Sequence, residues 1–284
     1  MPSSWNSAFA GRSPAFEPLR AHARALPGGA FPDCDDLNRV LAQRDAPVLN
    51  ADGLTLRFIA QAARQPAFED EYEPRIFLRG EVQLRPGNRH DLFNALVWLA
   101  FPRAKAALNA RHFHALTRQR ANGTRNRGPL QDALTLFDEG GVIVAAGDPA
   151  LYGLLAGHAW KELFWRRRAE ADRHLRFYLF GHGLYEKMLQ PFIGVTGRGI
   201  ACEVAADFFA LPLARQLHEL DTQVAARIAD QARDIAASEL TAVPLLGIPG
   251  WCPDNAREDY YDNTAYFRPA RNAARSRPCA CRGA

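Results

Sequence analysis

The segment NRHDLFNALVWLAFPRAKAALNARHFH, Asn88 to His114, constrains the fold more than any other stretch: it predicts two helices meeting at Phe101-Pro102, each with polar side chains set into an apolar surface. Asn88 is placed to cap the first helix, because a short side-chain oxygen accepts from a free first-turn N–H, and Asp91 is spaced to reciprocate as in a capping box. Pro102 ends that helix and opens the next, since a first-turn position needs no N–H donor. Leu92, Phe93, Leu96, Val97, Leu99 and Phe101 surround most of the first helix, which predicts burial. His90 and Asn94 then fall one turn apart on one line, with Asp91 and Trp98 beside it. On the second helix Lys105, Asn109 and His112 share a face, while Ala104, Ala107, Leu108 and Ala110 form the apolar side.

A polar group buried without a partner costs about 1–3 kcal/mol, so these stripes require partners from elsewhere in the chain. Two readings follow. The stripes belong to a structural network that locks the core, or they line a reaction site.

The wording H-D-L-F-N-A-L-V-W-L-A-F-P followed by K-A-A-L-N-A-R-H resembles the central motif of a bacterial family catalogued as domain of unknown function 3025. F-D-E-G-G at Phe137 to Gly141 and F-G-H-G-L-Y-E-K at Phe180 to Lys187 resemble further blocks of that family, so the likeness covers roughly residues 40 to 270. It brings no activity, cofactor or catalytic residue with it.

A length of 284 residues at 48% hydrophobic content supports a sizeable core. The expected organisation is an irregular N-terminal arm at 1–32, rich in Pro, Gly and Ser and wrapping the surface, one globular domain at 33–267, and a basic tail at 268–284. No run approaches the ~20 apolar residues of a membrane helix, and the N-terminus lacks a basic cluster followed by an apolar run. A cytoplasmic location is therefore expected. Cys34, Cys202 and Cys252 are isolated and only Cys279 and Cys281 are close, which is neither a disulfide framework nor a zinc spacing.

Arg268, Arg271, Arg275, Arg277 and Arg282 give the last seventeen residues +5 of the formal net charge of +4, leaving the body at −1. An argument for nucleic acid would therefore rest on a tail. Of 35 basic residues only Lys105, Lys161 and Lys187 are lysines. Lysine is a compact charge that titrates when buried, whereas guanidinium does not, so these positions are candidates for chemistry.

Along the remaining chain, Asp33 to Gln43 predicts a helix, Thr55 to Phe58 a short extended piece, and Arg75 to Leu84 a strand or hairpin edge. Arg118 to Pro129 reads as a basic polar loop. A helix from Pro129 closes at Asp138-Glu139, two acids that oppose the macrodipole at the C-terminus and so become candidates for a metal, a basic partner or acid/base work. Val142 to Ala146 predicts a strand. A long helix from Asp148-Pro149 through Ala171 would set His158 one turn from Glu162. Leu175 to Phe180 predicts another strand, running into Gly181-His182-Gly183, where flanking glycines permit a sharp turn, and then a short helix through Lys187. Gly194 to Gly199 reads as a glycine-rich loop, Asp207 to Glu239 as helical, Pro244 to Pro253 as extended, and Tyr260, Tyr261 and Tyr266 as a strap over the body.

The expected fold is a helix-dominated α+β domain with a small β-sheet. The expected function is a cytoplasmic enzyme of hydrolase or transferase type acting on a small molecule through His90, Asp91, Asn94, Lys105, Asn109, His158 and His182. In it a histidine serves as general base, Lys105 stabilises developing negative charge and an asparagine orients substrate. Cofactor, metal and oligomeric state stay open. A His-Asp metal phosphohydrolase is disfavoured, since no histidine lies in the sixty residues before His90. The alternative is a non-catalytic binding or regulatory module whose basic loop and tail contact nucleic acid or an acidic partner, against which the neutral body argues.

Overall fold

The computed structural model describes residues 5–61, 67–124 and 127–270. Two 3-10 turns, Ser7–Gly11 and Pro14–Leu19, lead into α1 (Arg20–Ala25). Phe9, Phe16 and Leu19 are buried; Phe9 meets Phe93 edge-on and Phe16 packs against Tyr185. The N-terminal segment is thus part of the core and partly regular, not an irregular surface wrap. Proline and glycine ended its elements early, but the apolar residues between them still needed burial.

α2 (Cys34–Ala42) carries a full capping box between Asp33 and Asp36. It packs on β1 (Arg57–Ala60), which pairs in parallel with β2 (Glu81–Leu84) across α3 (Tyr72–Arg79). The expected strand at Arg75 to Leu84 is therefore half helix. Gly80 makes the break: it takes the left-handed conformation at φ 68, where a Cβ would sit 2.4 Å from the Thr55 carbonyl oxygen. Arg75 turns inward to Asp70 and Glu81, an arrangement that the helical phase permits.

α4 (Arg89–Ala100) and α5 (Pro102–Ala121) follow and meet at the predicted Phe101-Pro102 junction. The Asn88 cap is present, accepting from Asp91 N at 3.0 Å, but Asp91 does not reciprocate. Its carboxylate accepts from Arg85, by backbone N–H at 2.8 Å and guanidinium at 2.7 and 2.9 Å, because an ion pair outcompetes a neutral cap. The start of α5 is satisfied from α10 (Leu213–Ala229): buried Asp221 accepts from Ala104 N at 2.8 Å and Arg103 N at 3.1 Å. Since α5 continues to Ala121, the basic connection begins later than expected, and Arg125 and Asn126 within it lie outside the described residues.

α6 (Pro129–Gly140) runs directly into β3 (Gly141–Ala146), whose every residue is buried, as suits a short continuous apolar run. β3 is inner in a four-stranded sheet of order β4-β3-β5-β6, with β4 (Leu175–Leu179) and β6 (Thr241–Pro244) antiparallel to their neighbours and β5 (Thr196–Glu203) parallel to β3. The expected glycine-rich loop is therefore strand. A Cβ at Gly197 would lie 2.4 Å from Val142 Cγ2 and one at Gly199 2.9 Å from Val243 Cγ2, so these glycines serve close strand packing.

The long helix expected after Pro149 is interrupted. α7 (Pro149–Ala156) stops at Gly157, His158 adopts φ 58, a π-helical turn spans Glu162–Arg166, and α8 (Arg168–His174) leads to β4. His158 and Glu162 accordingly do not continue one helical face. α9 (His182–Met188) starts at the Gly-His-Gly sequence. The stretch expected to be helical from Asp207 to Glu239 is helical only as α10 and two short 3-10 turns, because Pro212 forces an extended entry before Leu213. The tyrosine strap is present: Tyr266 Oη accepts from Leu246 N at 3.0 Å and donates to Val195 O at 2.7 Å. The whole is a helix-dominated α+β domain with two small sheets. Among the described residues no helix is long and apolar enough to cross a membrane. Arg271, Arg275, Arg277, Arg282, Cys279 and Cys281 lie outside them.

Candidate functional site

Three junctions meet beside the sheet: the start of α4, the passage from α6 into β3, and the passage from β4 into α9. Backbone bonds hold the last two together, with Phe180 N and Gly181 N both donating to Gly141 O at 2.9 Å. The contact requires glycine. A Cβ on Gly181 would lie 2.4 Å from Gly141 N and 2.6 Å from Glu139 O, and one on Gly183 2.8 Å from Glu139 Oε2. The Gly-His-Gly sequence thus presses His182 against the C-terminal end of α6.

There His182 Nε2 lies 3.0 Å from His90 Nε2 and 3.3 Å from Glu139 Oε1, while His90 Nε2 is 3.6 Å from that same oxygen. On the far side of each ring is another carboxylate: Asp138 Oδ2 at 3.8 Å from His182 Nδ1, and Glu186 Oε2 at 3.4 Å from His90 Nδ1. His182 is enclosed, with a side chain 5% exposed, whereas His90 and Glu139 open to solvent at 35% and 47%. Hydrogen bonding to His182 holds the Glu139 carboxyl below its ordinary range, against the effect of burial.

Behind this cluster stands Lys105, 4% exposed, its Nζ 2.5 Å from Asp138 Oδ1 and over the Trp98 ring. Burial alone would raise the Asp138 carboxyl, but the Lys105 ammonium and the neighbouring His182 hold it low. The ion pair accounts for Asp138 at a helix C-terminus, where an unpaired acid is disfavoured, and the two histidines face Glu139.

The cluster opens into a cavity of about 360 Å³ lined almost wholly by polar side chains, among them Tyr72, Glu73, Asp91, Asn94, His112 and Gln131, with Leu116 the apolar exception. Asn94 Nδ2 donates to Tyr72 Oη at 2.6 Å. Asn109 Nδ2 donates to the Glu73 carboxylate at 2.7 Å and to its backbone oxygen at 2.9 Å. Burial raises the Glu73 carboxyl to about 7 despite the Asn109 bond, and lowers the His112 imidazole to about 4. A larger groove of about 1010 Å³ runs between the 43–51 segment, α5 and α10, but it is floored by alanines and gathers no comparable set of titratable groups.

Of the residues expected at a site, His90, Asp91, Asn94 and His182 line the cavity, and Lys105 and Asn109 stand one contact behind it through Asp138 and Glu73. Lys105 faces Asp138 and not the open volume, so it acts on its neighbour. His158 is elsewhere, stacked on Trp160 at 4.8 Å between centroids. Lys161 pairs with Asp262 and Glu258, and Lys187 is exposed, so Lys105 alone of the three lysines belongs to the cluster. Glu73, Tyr72 and Glu186 were not anticipated. Glu73 and Tyr72 lie at the start of a helix whose continuation through Arg75 to Leu84 resembled a strand. The misplaced charge of Asp138-Glu139 was the signal that pointed to the acidic half of the cluster.

Residues 56–271 match a family described as "Protein of unknown function (DUF3025)". The chain belongs to this family. The match takes in every residue of the cavity, so the DUF3025 region contains the whole candidate site, while the segment before Leu56 supplies none of its lining. No curated protein and no solved structure matches the chain.

Proposed function

We propose that this protein is an enzyme of hydrolase or transferase type that carries out general acid–base chemistry on a small molecule held in the polar cavity. The observation that supports it is convergence: side chains from α3, α4, α5, α6 and α9 direct three histidines, four carboxylates and an asparagine at one solvent-reachable volume. A purely structural network would be sealed and internally paired. Here His182 Nδ1, Asn94 Oδ1 and Asn109 Oδ1 are buried without a partner, and His90 and Glu139 face solvent. The volume lies within the range of small-molecule sites.

Glu73 is suited to carry the proton. A carboxyl that titrates near neutrality can take a proton from an attacking water or hydroxyl oxygen and return it to the leaving atom, so that one O–H and one substrate bond break as one new substrate–oxygen bond and one new bond to hydrogen form. Asn109 fixes the Glu73 carboxylate, and Asn94 with Tyr72 offers polar contacts for orientation. The His90–His182–Glu139 cluster lines the same cavity and would meet the reacting end.

The test is a screen of ester, phosphoester and amide substrates and of activated acyl and phosphoryl donors, run in parallel on the parent, Glu73→Gln and Lys105→Arg. Turnover lost by at least about 100-fold in Glu73→Gln and reduced in Lys105→Arg supports the proposal. Turnover equal in parent and Glu73→Gln would overturn this assignment of the base.

A further inference from the structure

We infer that His90, His182 and Glu139 form a binding site for one divalent first-row transition ion of the zinc class, with its open coordination position turned to the cavity. Their three facing atoms, the two Nε2 and Glu139 Oε1, are separated by 3.0, 3.3 and 3.6 Å. Ligands about 2.0–2.1 Å from a tetrahedral centre lie about 3.3 Å from one another, the middle of that range. In the tautomer with the proton on Nδ1 each imidazole turns its Nε2 lone pair toward the carboxylate oxygen, and a cation among the three atoms makes that approach favourable. A proton joins only two of the three; a metal ion satisfies all of them at once.

The surroundings fit the same occupant. A histidine that ligates through Nε2 is oriented by an acceptor on Nδ1, and each ring here has a carboxylate on that side: Glu186 for His90 and Asp138 for His182. His182 Nδ1 is buried and unpartnered, with Asp138 Oδ2 at 3.8 Å as the nearest carboxylate to receive its proton once Nε2 ligates. Lys105 holds Asp138 in place for that contact. Three protein ligands from three different elements, with the fourth direction open to a polar cavity, match a reactive site and not a closed structural one. Two histidines and one carboxylate suit zinc, cobalt, manganese or ferrous iron, whereas calcium and magnesium prefer all-oxygen sets.

The ion's place in the reaction rests on the reading of the cavity as a reaction site; its binding does not. Bound there, it would polarise a substrate oxygen or lower the pKa of a bound water, leaving Glu73 as the proton carrier.

The experiment is titration of the full, chelator-stripped chain with Co²⁺ alone, followed by visible ligand-field absorption, then displacement by Zn²⁺. One equivalent should bind with the intense bands of a low-coordinate site. His90→Gln, Glu139→Gln and His182→Asn should each weaken binding by about tenfold or more, and Glu186→Gln by less. Far-UV circular dichroism checks the fold; His90 and Glu139 are half-exposed, so at least those variants keep the test decisive if the buried His182 variant unfolds. Equal Co²⁺ affinity in parent, His90→Gln and Glu139→Gln, or no stoichiometric binding by the parent, overturns the site. Glu73→Gln separates the two proposals: it should bind Co²⁺ as the parent does while losing turnover, whereas turnover that survives complete chelation removes the metal and leaves the acid–base reading standing.

Discussion

Lys105 Nζ and Asp138 Oδ1 lie 2.5 Å apart, with the lysine side chain 4% exposed and the aspartate 20% exposed. The pair joins α5 to the end of α6 directly beneath the two histidines. Removing one partner of such a pair leaves an uncompensated charge in a low-dielectric setting. Lys105→Met should therefore lose roughly 2–4 kcal/mol in urea denaturation, less than a fully buried pair because Asp138 retains some solvent. Lys105→Met/Asp138→Leu should recover part of that loss. A single variant with the parent's midpoint and slope would mean that the pair is not formed in solution.

Glu73 gives the stability a specific pH dependence. Burial raises its carboxyl from the ordinary 4.5 to about 7, so between those values the folded chain holds a proton that the unfolded chain has released. The contribution of this group is fully present below 4.5 and is lost as pH rises through about 7. Glu73→Gln removes the dependence: it should match the parent at pH 4 and exceed it at pH 8 by up to roughly 3 kcal/mol. Thermal melts at the two pH values check this, and parallel curves for parent and variant would contradict it.

Gly181 lies where the β4–α9 passage touches the α6–β3 junction. Alanine there would place its Cβ 2.4 Å from Gly141 N, a backbone atom that cannot move without shifting β3. Gly181→Ala should cost about 1–3 kcal/mol or more by overpacking, read from the denaturation midpoint. It should weaken Co²⁺ binding too, because His182 and Glu139 flank the displaced contact.

Asp221 closes the first turn of α5 from a distance of more than one hundred residues, accepting from Arg103 N and Ala104 N. Asp221→Ala should destabilise by about 1–3 kcal/mol, since a buried donor and a part-buried one lose their acceptor, while Asp221→Asn should cost less because one oxygen still accepts. Amide hydrogen exchange at Arg103 and Ala104 is the direct readout, and unchanged protection in the alanine variant would refute the assignment.

What the sequence made legible was local in origin. The starts of α4 and α5 follow from Asn88 and Pro102, and the polar lines on both helices follow from their period, so the lining residues His90, Asn94 and His112 and, behind them, Lys105 and Asn109 were visible in one continuous segment. The parts that were not visible depend on partners far along the chain. Whether Gly197 and Gly199 lie in a loop or a strand is decided by Val142 and Val243. Whether Tyr72 and Glu73 face a cavity depends on Gly80 ending their helix against Thr55. His158 was expected one turn from Glu162 on a continuous helix that Gly157 and the π-helical turn interrupt, whereas His182 directly follows the strand that pairs with β3.

The aromatic contacts of the N-terminal segment have a practical meaning. The family match begins at residue 56, yet Phe9 rests on Phe93 and Phe16 on Tyr185, side chains of the two helices that present His90 and His182. The boundary of homology is therefore not the boundary of the folding unit. A chain cut at residue 56 would keep every cavity residue and still uncover the apolar backs of α4 and α9, leaving a sticky face directly behind the histidines it was meant to isolate.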